Sequence, residues 1–474
     1  MHAVLEQSNR SRQTRPAPAP AAGRSAREKS LMLAAMSLGY GVVQLDVTIV
    51  NTALNSIGTS LGGGVTELQW VVSAYTIAFA ALILTAGAIG DRLGAKRVFM
   101  AGFIIFTAAS LACALAPMAV LLIAARAIQG LGAAILVPNS LALLSHAYPD
   151  ARERGRAVGI WAAGASLALT AGPLAGGGLI DLVGWRSIFL VNLPIGLGGL
   201  WLAWRYADET PRALQHALDL PGQAAAIGAL GCLAGAIIEG GARGWLDPWV
   251  LAGFAAAAAL AIVFVLVEHH AAQPMLPLSL FAIRTFSLAA LIGLLVNVAF
   301  YGLIFVLSLY LQQRNGRSPF ATGLAFLPML AVVLPVNLLA PRAAERFGAR
   351  PVIAAGAVIS AAGCGALMLI GPGTPYWAIG PQLLAIGGGL GLLVPPLTST
   401  LLGSVEKSRS GVAAGVLNAT RQTGSVLGVA LFGSLLGSTG AFTTGARIAL
   451  VISIVLLLTA AAAITFGRDN RARH

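Results

Sequence analysis

The sequence predicts an all-α polytopic membrane protein with two six-helix bundles and two extra central helices, which makes fourteen transmembrane spans. Of its 474 residues, 57% are hydrophobic and only 10% are charged, and the mean hydropathy is +0.83. Such a chain is too apolar for water and far too long for one span. Apolar runs of about 20 residues, the length that crosses a bilayer, recur along the chain.

The first thirty residues differ from the rest. Residues 1–30 are polar, carry six Lys or Arg residues and contain no apolar run, which argues against a signal peptide. We expect a disordered cytoplasmic tail there. The three cysteines, Cys113, Cys232 and Cys364, all fall inside apolar runs without ligand spacing, so they are interpreted as buried free thiols and no metal site is expected.

Breaks at Gly, Pro and clustered charges define the spans. The predicted spans are 31–58, 68–90, 98–116, 119–145, 157–183, 187–204, 221–239, 249–267, 287–312, 320–341, 352–371, 376–402, 412–436 and 445–467.

The distribution of Lys and Arg tests this count, because cytoplasmic loops carry the excess of positive charge. With the N-terminus inside, 23 of the 30 Lys and Arg residues fall in inner segments and five in outer ones. Both termini are therefore predicted to be cytoplasmic, in a multi-pass protein of the cell membrane. Because topology explains the net charge of +13, nucleic-acid binding is not expected.

Internal echoes indicate a duplication. DRLGAK at 91–96 is echoed by ERFGAR at 345–350, and GAAILVP at 132–138 by GLGLLVP at 389–395. The offsets are 254 and 257 residues. Parallel repeats of this kind build transporters with a midplane site between two moving halves. The domain prediction is a tail (1–30), a first bundle (31–204), two extra helices with linkers (205–286), a second bundle (287–467) and a tail (468–474).

Asp46 and Arg126 are charged residues that lie inside predicted spans of the first bundle. A carboxylate there costs several kcal/mol unless it faces a cavity or a partner, so Asp46 is a candidate for function. Helical rise places it roughly 18 Å below the outer end of its span, and Arg126 about 11 Å deep on a span that runs the other way. Arg126 is therefore the predicted partner of Asp46. Proton coupling is one interpretation of the pair, and a structural salt bridge is the other.

Small residues recur every four positions in the fifth span. Gly164, Ala168, Gly172 and Gly176 lie on one helical face, and Pro173 adds a local weakness. This face permits close helix approach, which is also common in any packed membrane bundle.

Several polar side chains within spans are candidates for lining a substrate cavity, or for simple bonding between helices. They are Asn51, Gln129, Asn139, Asn297, Tyr301 and Gln422. Arg421, ten positions into its span, is a further candidate, which either faces the cavity and repels or selects by charge, or lies near the interface and snorkels.

Six stretches in order resemble the fourteen-span drug:proton antiporter branch of the major facilitator superfamily, from about residue 31 to 467. They are LDVTIVNTAL (45–54), GAIGDRLGAKR (87–97), RAIQGLGAA (126–134), LTAGPLAGGGL (169–179), WRSIFLVNLPIG (185–196) and NATRQTGSVLGVA (418–430). One departure is Asn55, where the family pattern usually has Pro.

The resemblance implies the major facilitator fold and assigns roles to three groups of residues. It implies proton transfer at Arg126 with Asp46. It implies a conformational latch at Gly87, Gly90, Asp91, Arg92, Gly94, Lys96 and Arg97. It implies an antiporter glycine-proline motif at Gly164, Gly172, Pro173, Gly176 and Gly177, which seals the central cavity.

The resulting functional hypothesis is a proton-coupled antiporter that exports amphipathic drugs or antibiotics, acts as a monomer and uses the proton gradient without a cofactor. An importer of a small organic solute on the same fold is the alternative. A non-transporting sensor and an intramembrane enzyme are further alternatives; the sequence contains neither a Walker A nor an HExxH motif. The sequence does not determine the substrate.

Overall fold

The computed structural model describes residues 25–212, 219–271, 274–369, 374–406, 410–438 and 442–467. Fourteen long helical segments lie in this part of the chain. They are α1 (Ala26–Leu61), α2 (Val65–Leu93), α3 (Ala95–Leu115), α4 (Ala119–Ala147), α5 (Ala151–Val183), α6 (Ser187–Tyr206), α7 (Leu220–Arg243), α8 (Pro248–His270), α9 (Arg284–Arg314), α10 (Pro319–Phe347), α11 (Ala349–Leu367), α12 (Gly380–Gly403), α13 (Ser410–Ser438) and α14 (Phe442–Phe466).

Each predicted span corresponds to one of these segments. Thirteen are long and apolar enough to cross a membrane, judged by length and composition. The remaining segment, α13, is 29 residues long and packs against α2 and α9. The chain is therefore a multi-pass, all-helical membrane protein. We call the face that carries the α2–α3 and α10–α11 turns the inner face, which the Lys and Arg distribution predicts to be cytoplasmic.

The first helix begins earlier than the predicted span. Ser25 caps it: the Glu28 amide donates to Ser25 Oγ at 3.3 Å, and the Ser25 amide donates to the Glu28 carboxylate at 3.1 Å. This reciprocal capping box starts the helix despite the nearby charges. Residues 1–24 of the predicted tail lie outside the described residues, as do the tail 468–474 and the inner charges Lys407 and Arg409.

The first sequence echo, at 91–96 and 345–350, corresponds to the same turn in both bundles. Gly94 alone separates α2 from α3, and Gly348 alone separates α10 from α11. Their φ angles are 100° and 89°, a region that residues with a Cβ rarely adopt. The echo at 254 residues therefore encodes the same sharp helix-glycine-helix reversal on the inner face of each bundle.

The second echo encodes a close helix contact. A Cβ added at Gly132 would lie 2.7 Å from the backbone nitrogen of Phe106 in α3, and one at Gly389 would lie 2.7 Å from that of Ser360 in α11. The α3–α4 and α11–α12 pairs are thus packed in the same way, with bare backbone at the crossing.

The two extra helices lie at a seam between the bundles. α7 packs against both α2 and α13, while α8 packs mainly on α7. The Gln223 amide donates to the carbonyl of Ala81 in α2 at 2.7 Å, and Gly241 meets Ser434 of α13 in close contact. The sequence predicted no role for these helices; the structure shows that α7 contacts both bundles.

The small-residue face of α5 packs on α1. Gly172 meets Thr48, and a Cβ at Gly176 would lie 2.5 Å from the Ile49 side chain. Pro173 has no amide hydrogen, so the carbonyl of Leu169 four residues earlier loses its helical partner. The Thr48 hydroxyl donates to this carbonyl at 3.0 Å. The proline is therefore accommodated by a side chain from the neighbouring helix, as buried backbone in a bilayer requires.

We predict that Thr48→Val, which keeps the shape and removes the hydroxyl, destabilises the protein by about 1–2 kcal/mol, because the Leu169 carbonyl is left without a donor. Thermal unfolding of the purified protein in detergent measures the effect. Thr59→Val is the matched control, since the exposed Thr59 hydroxyl bonds only to carbonyls of its own helix. Equal shifts in the two variants would contradict the role assigned to Thr48.

Candidate functional site

Asp46 and Arg126 are in direct contact. Both are buried, with 0% and 1% of their surface exposed, and Arg126 Nη1 donates to Asp46 Oδ2. Asp46 lies 15 residues from the outer end of α1, or roughly 22 Å by helical rise. The structure thus joins the two intramembrane charges that the sequence predicted to be partners.

Neutral side chains complete the surroundings of the carboxylate. Asp46 Oδ1 accepts hydrogen bonds from Gln129 Nε2 at 2.8 Å and from Asn192 Nδ2 at 3.0 Å. The same two amides reach Ser110 Oγ, at 2.8 and 3.3 Å. Both oxygens of the buried carboxylate therefore have donors, and these bonds offset part of the cost of taking it out of water.

The arginine is held as firmly as the carboxylate. Its Nε donates to the carbonyl of Val71 at 3.1 Å, and Nη1 also donates to Gln129 Oε1 at 2.7 Å. The guanidinium carbon lies 4.3 Å from the ring centre of Tyr75 and 5.8 Å from that of Phe189. These contacts place a fixed cation between α1, α2, α4 and α6. We call Asp46, Arg126, Gln129, Asn192 and Ser110 the charge centre.

Two members of the charge centre were not predicted. Asn192 stands inside the WRSIFLVNLPIG stretch, where a lone amide in an apolar run was the available signal. Ser110 has no distinguishing signal, because single serines are frequent in these spans. Gln129, a candidate for lining a cavity or for bonding between helices, lies fully buried in the charge centre, where it bonds to Asp46 of α1 and Ser110 of α3.

Asn139 ties two helices of the first bundle together. Its Nδ2 donates to the Ala86 carbonyl of α2 at 3.1 Å, and also to the Ile135 carbonyl of its own helix at 2.8 Å. Its side-chain oxygen fills the space beside Gly90, where a Cβ would overlap it. Gly90 of the predicted latch is thus the residue that allows α4 to approach α2.

Other candidates lie between the bundles. Asn51 and Tyr301 line a small cavity formed by α1, α2, α4, α9 and α13, and the wall of this cavity includes Arg126 and Ser425. Arg126 therefore borders both Asp46 and this cavity. Asn297 donates to the Gly293 carbonyl of its own helix at 2.7 Å. The buried oxygen of Gln422 has no hydrogen-bond donor in the described structure.

The bundles are in contact on the outer side of this cavity. Gln69 Nε2 of α2 donates to the carbonyls of Ala430 and Val429 in α13, at 2.7 and 3.2 Å. Gly177 of α5 meets Phe320 of α10, where an added Cβ would lie 2.6 Å from the Phe320 Cα. These contacts join the two bundles on this side.

The turn at Gly94 is tied to the segment after α6. Glu209 Oε1 accepts the Lys96 amide at 2.9 Å, and Thr210 Oγ1 accepts the Ala95 amide at 2.9 Å. The Glu209 carboxylate also lies 3.6 Å from Arg97 Nε. Glu209 and Thr210 thus bind free amides at the start of α3, a role that the sequence did not reveal.

Two helical bundles with a repeated inner turn, and a buried charge pair beside a cavity between them, define a secondary transporter built from parallel repeats. The chain belongs to the Major Facilitator Superfamily, whose family model matches residues 36–429.

Similar proteins cover most of the chain. It is 38% identical over 440 residues to a methylenomycin A resistance protein of Streptomyces coelicolor, which covers 93% of this chain and 92% of that protein. It is 39% identical over 413 residues to the multidrug resistance protein Stp of Mycobacterium tuberculosis, covering 87% and 76% of the two chains. The fold matches the crystal structure of a D-xylose-proton symporter with a TM-score of 0.66, at 14% identity and with 94% and 100% coverage.

We predict that Glu209→Ala lowers the free energy of unfolding by about 1–2 kcal/mol, because the start of α3 loses its capping acceptor. Thermal unfolding in detergent is the measurement. Glu239→Ala serves as the control, since Glu239 forms only an exposed pair with Arg243 four residues along the same helix, which contributes little. A Glu209→Ala variant as stable as the control would contradict the anchoring role.

Proposed function

We propose that this protein is a proton-coupled antiporter that exports amphipathic drugs or antibiotics across the cytoplasmic membrane by alternating access. Relatives named for antibiotic and multidrug resistance support efflux, and they match almost the whole chain. The observation that carries the coupling is the position of Arg126, which pairs with the buried Asp46 and also borders the cavity between the bundles.

The coupling follows from charge. With Asp46 ionised, Arg126 is neutralised by its partner. When Asp46 takes up a proton, the pair loses its ionic attraction and Arg126 becomes an uncompensated cation at the cavity wall, which is costly in a low dielectric. Protonation therefore changes both the contacts between α1 and α4 and the charge presented to a substrate. A proton taken from outside and released inside would alternate these two states.

The residues that we propose to carry the conformational change lie around the charge centre. Gly172 and Gly176 bring α5 against α1, and Gly177 brings it against the second bundle, so one helix connects the charge centre to the outer contact. The turn at Gly87–Arg97 forms the inner latch of the proposed cycle. Glu209 anchors this turn through the Lys96 amide and Arg97. An anchored turn transmits the rotation of a bundle better than a flexible loop would.

Import of a small organic solute is the alternative, because a D-xylose-proton symporter shares the fold and fold does not fix direction. The glycine-proline motif on α5 favours exchange, because the family resemblance associates this motif with antiporters. We further propose a monomer with cytoplasmic termini, driven by the proton gradient without a cofactor.

We predict that Asp46→Asn abolishes proton-driven accumulation of substrate but retains substrate exchange in the absence of a proton gradient. An amide keeps the shape of the carboxylate but carries no titrating proton. Transport in proteoliposomes with an imposed proton gradient, across a panel of dyes and antibiotics, measures both quantities. Glu239→Gln removes an exposed carboxylate and should behave as wild type. Accumulation with unchanged proton flux in Asp46→Asn would disprove the coupling, and increased uptake in expressing cells would disprove the direction.

A separate prediction concerns the latch. Asp91→Asn should slow transport severalfold or abolish it while substrate affinity stays near that of wild type, because Asp91 lies on the inner turn and away from the cavity. Binding and flux measured on the same preparation separate the two effects. A variant that binds poorly and cycles normally would refute the latch assignment.

A further inference from the structure

Arg421 is a second cation in the middle of the membrane. It is the twelfth residue of α13, roughly 16 Å along the helix from its inner end. Its Nη2 donates to Thr398 Oγ1 of α12 at 2.7 Å. Tyr40 of α1 and Tyr301 of α9 are close enough to interact with it electrostatically. Because these neighbours come from both bundles, the guanidinium lies between them.

Within the part of the chain that the structure describes, Arg421 forms no ion pair with a carboxylate. The one described carboxylate near the middle of a span is Asp46, and its oxygens are occupied by Arg126, Gln129 and Asn192. A cation well inside a membrane-spanning helix is costly when it has no counter-ion. The described part of the chain therefore does not supply the negative charge that would offset this cost.

Two tyrosines, Tyr40 and Tyr301, lie near this cation, and Tyr40 belongs to an aromatic pair. Tyr40 and Trp161 are stacked, with ring centres 4.3 Å apart and planes inclined by 20°. The indole nitrogen of Trp161 donates to Ser140 Oγ at 3.1 Å, which fixes the ring. A cation beside flat apolar rings complements a molecule that joins an anionic group to an apolar body.

We propose that Arg421 binds the anionic group of the transported substrate, so that this protein exports amphipathic organic anions, carboxylates above all, whose apolar part packs against Tyr40 and Trp161. The inference rests on the proposed export function and specifies its substrate class. A guanidinium binds a carboxylate with two parallel hydrogen bonds, whereas the side chains around it cannot replace that charge. The inside-negative membrane potential also favours outward movement of an anion.

The test compares aromatic carboxylates with their methyl esters and with their aminomethyl counterparts, which share a ring system and differ in charge. Binding is measured by calorimetry on purified protein and flux in proteoliposomes with a proton gradient. We expect wild type to prefer the carboxylates. Arg421→Gln should weaken their binding about tenfold or more, Arg421→Lys should retain part of it, and Arg421→Glu should shift the preference to the amines.

Arg314→Gln is the matched control, because Arg314 is exposed at the outer end of α9. A structural role for Arg421 would reduce binding of all three classes alike and would overturn the proposal. Proton-driven flux of amines or esters without any preference for carboxylates would also overturn it, while leaving the proposed export function intact. A wild-type protein that moves no compound of this panel, nor any dye or antibiotic, would instead overturn the export function.

Discussion

The arrangement of the first bundle depends on the buried pair of Asp46 and Arg126. In a low-dielectric interior neither charge is stable alone, and removing one partner of such a pair typically costs about 3–5 kcal/mol. The surrounding amides and aromatic rings come from α2, α4 and α6, and α3 contributes the Ser110 hydroxyl. Every helix that meets at this point is therefore positioned by the need to satisfy these two charges.

Close contact between helix backbones at glycine residues is the second constraint on the fold. In lipid, helices gain little from burying apolar side chains against one another, so close packing of small residues holds them together. Gly132 and Gly389 meet their partner helices within each bundle, and Gly177 meets Phe320 across the two bundles. Where Pro173 interrupts the helix, Thr48 supplies the missing donor. At Gly172, close helix approach thus lies beside a backbone carbonyl that is satisfied by the neighbouring helix.

Arg126 and Arg421 differ in one respect that bears on function. Arg126 has a carboxylate partner within the protein, and Arg421 has a hydroxyl partner at Thr398. Proton uptake at Asp46 would leave two uncompensated cations facing the space between the bundles. Binding of an anionic substrate and protonation of Asp46 would then act on the same electrostatic balance, which gives a physical route for coupling the two.

Local pattern and composition in the sequence were enough to predict the fourteen helical segments, the repeated inner turn and the location of Asp46 and Arg126 inside helices. Span length, Lys and Arg bias and helical rise depend on neighbouring residues only. The turn at Gly94 was also visible as a motif. By contrast, the start of α1 extended past the predicted boundary because a capping box at Ser25 outweighs the charges around it.

Only the tertiary structure decided which side chains complete each site. Asn192 reaches Asp46 across 146 residues of sequence, Thr48 reaches Leu169 across 121, and Glu209 reaches Lys96 across 113. The position of α7 along α2 and α13 is likewise decided by packing, and no sequence motif indicates it. Such contacts depend on how helices rotate about their axes and cross one another, and a single sequence carries no local signal of that geometry.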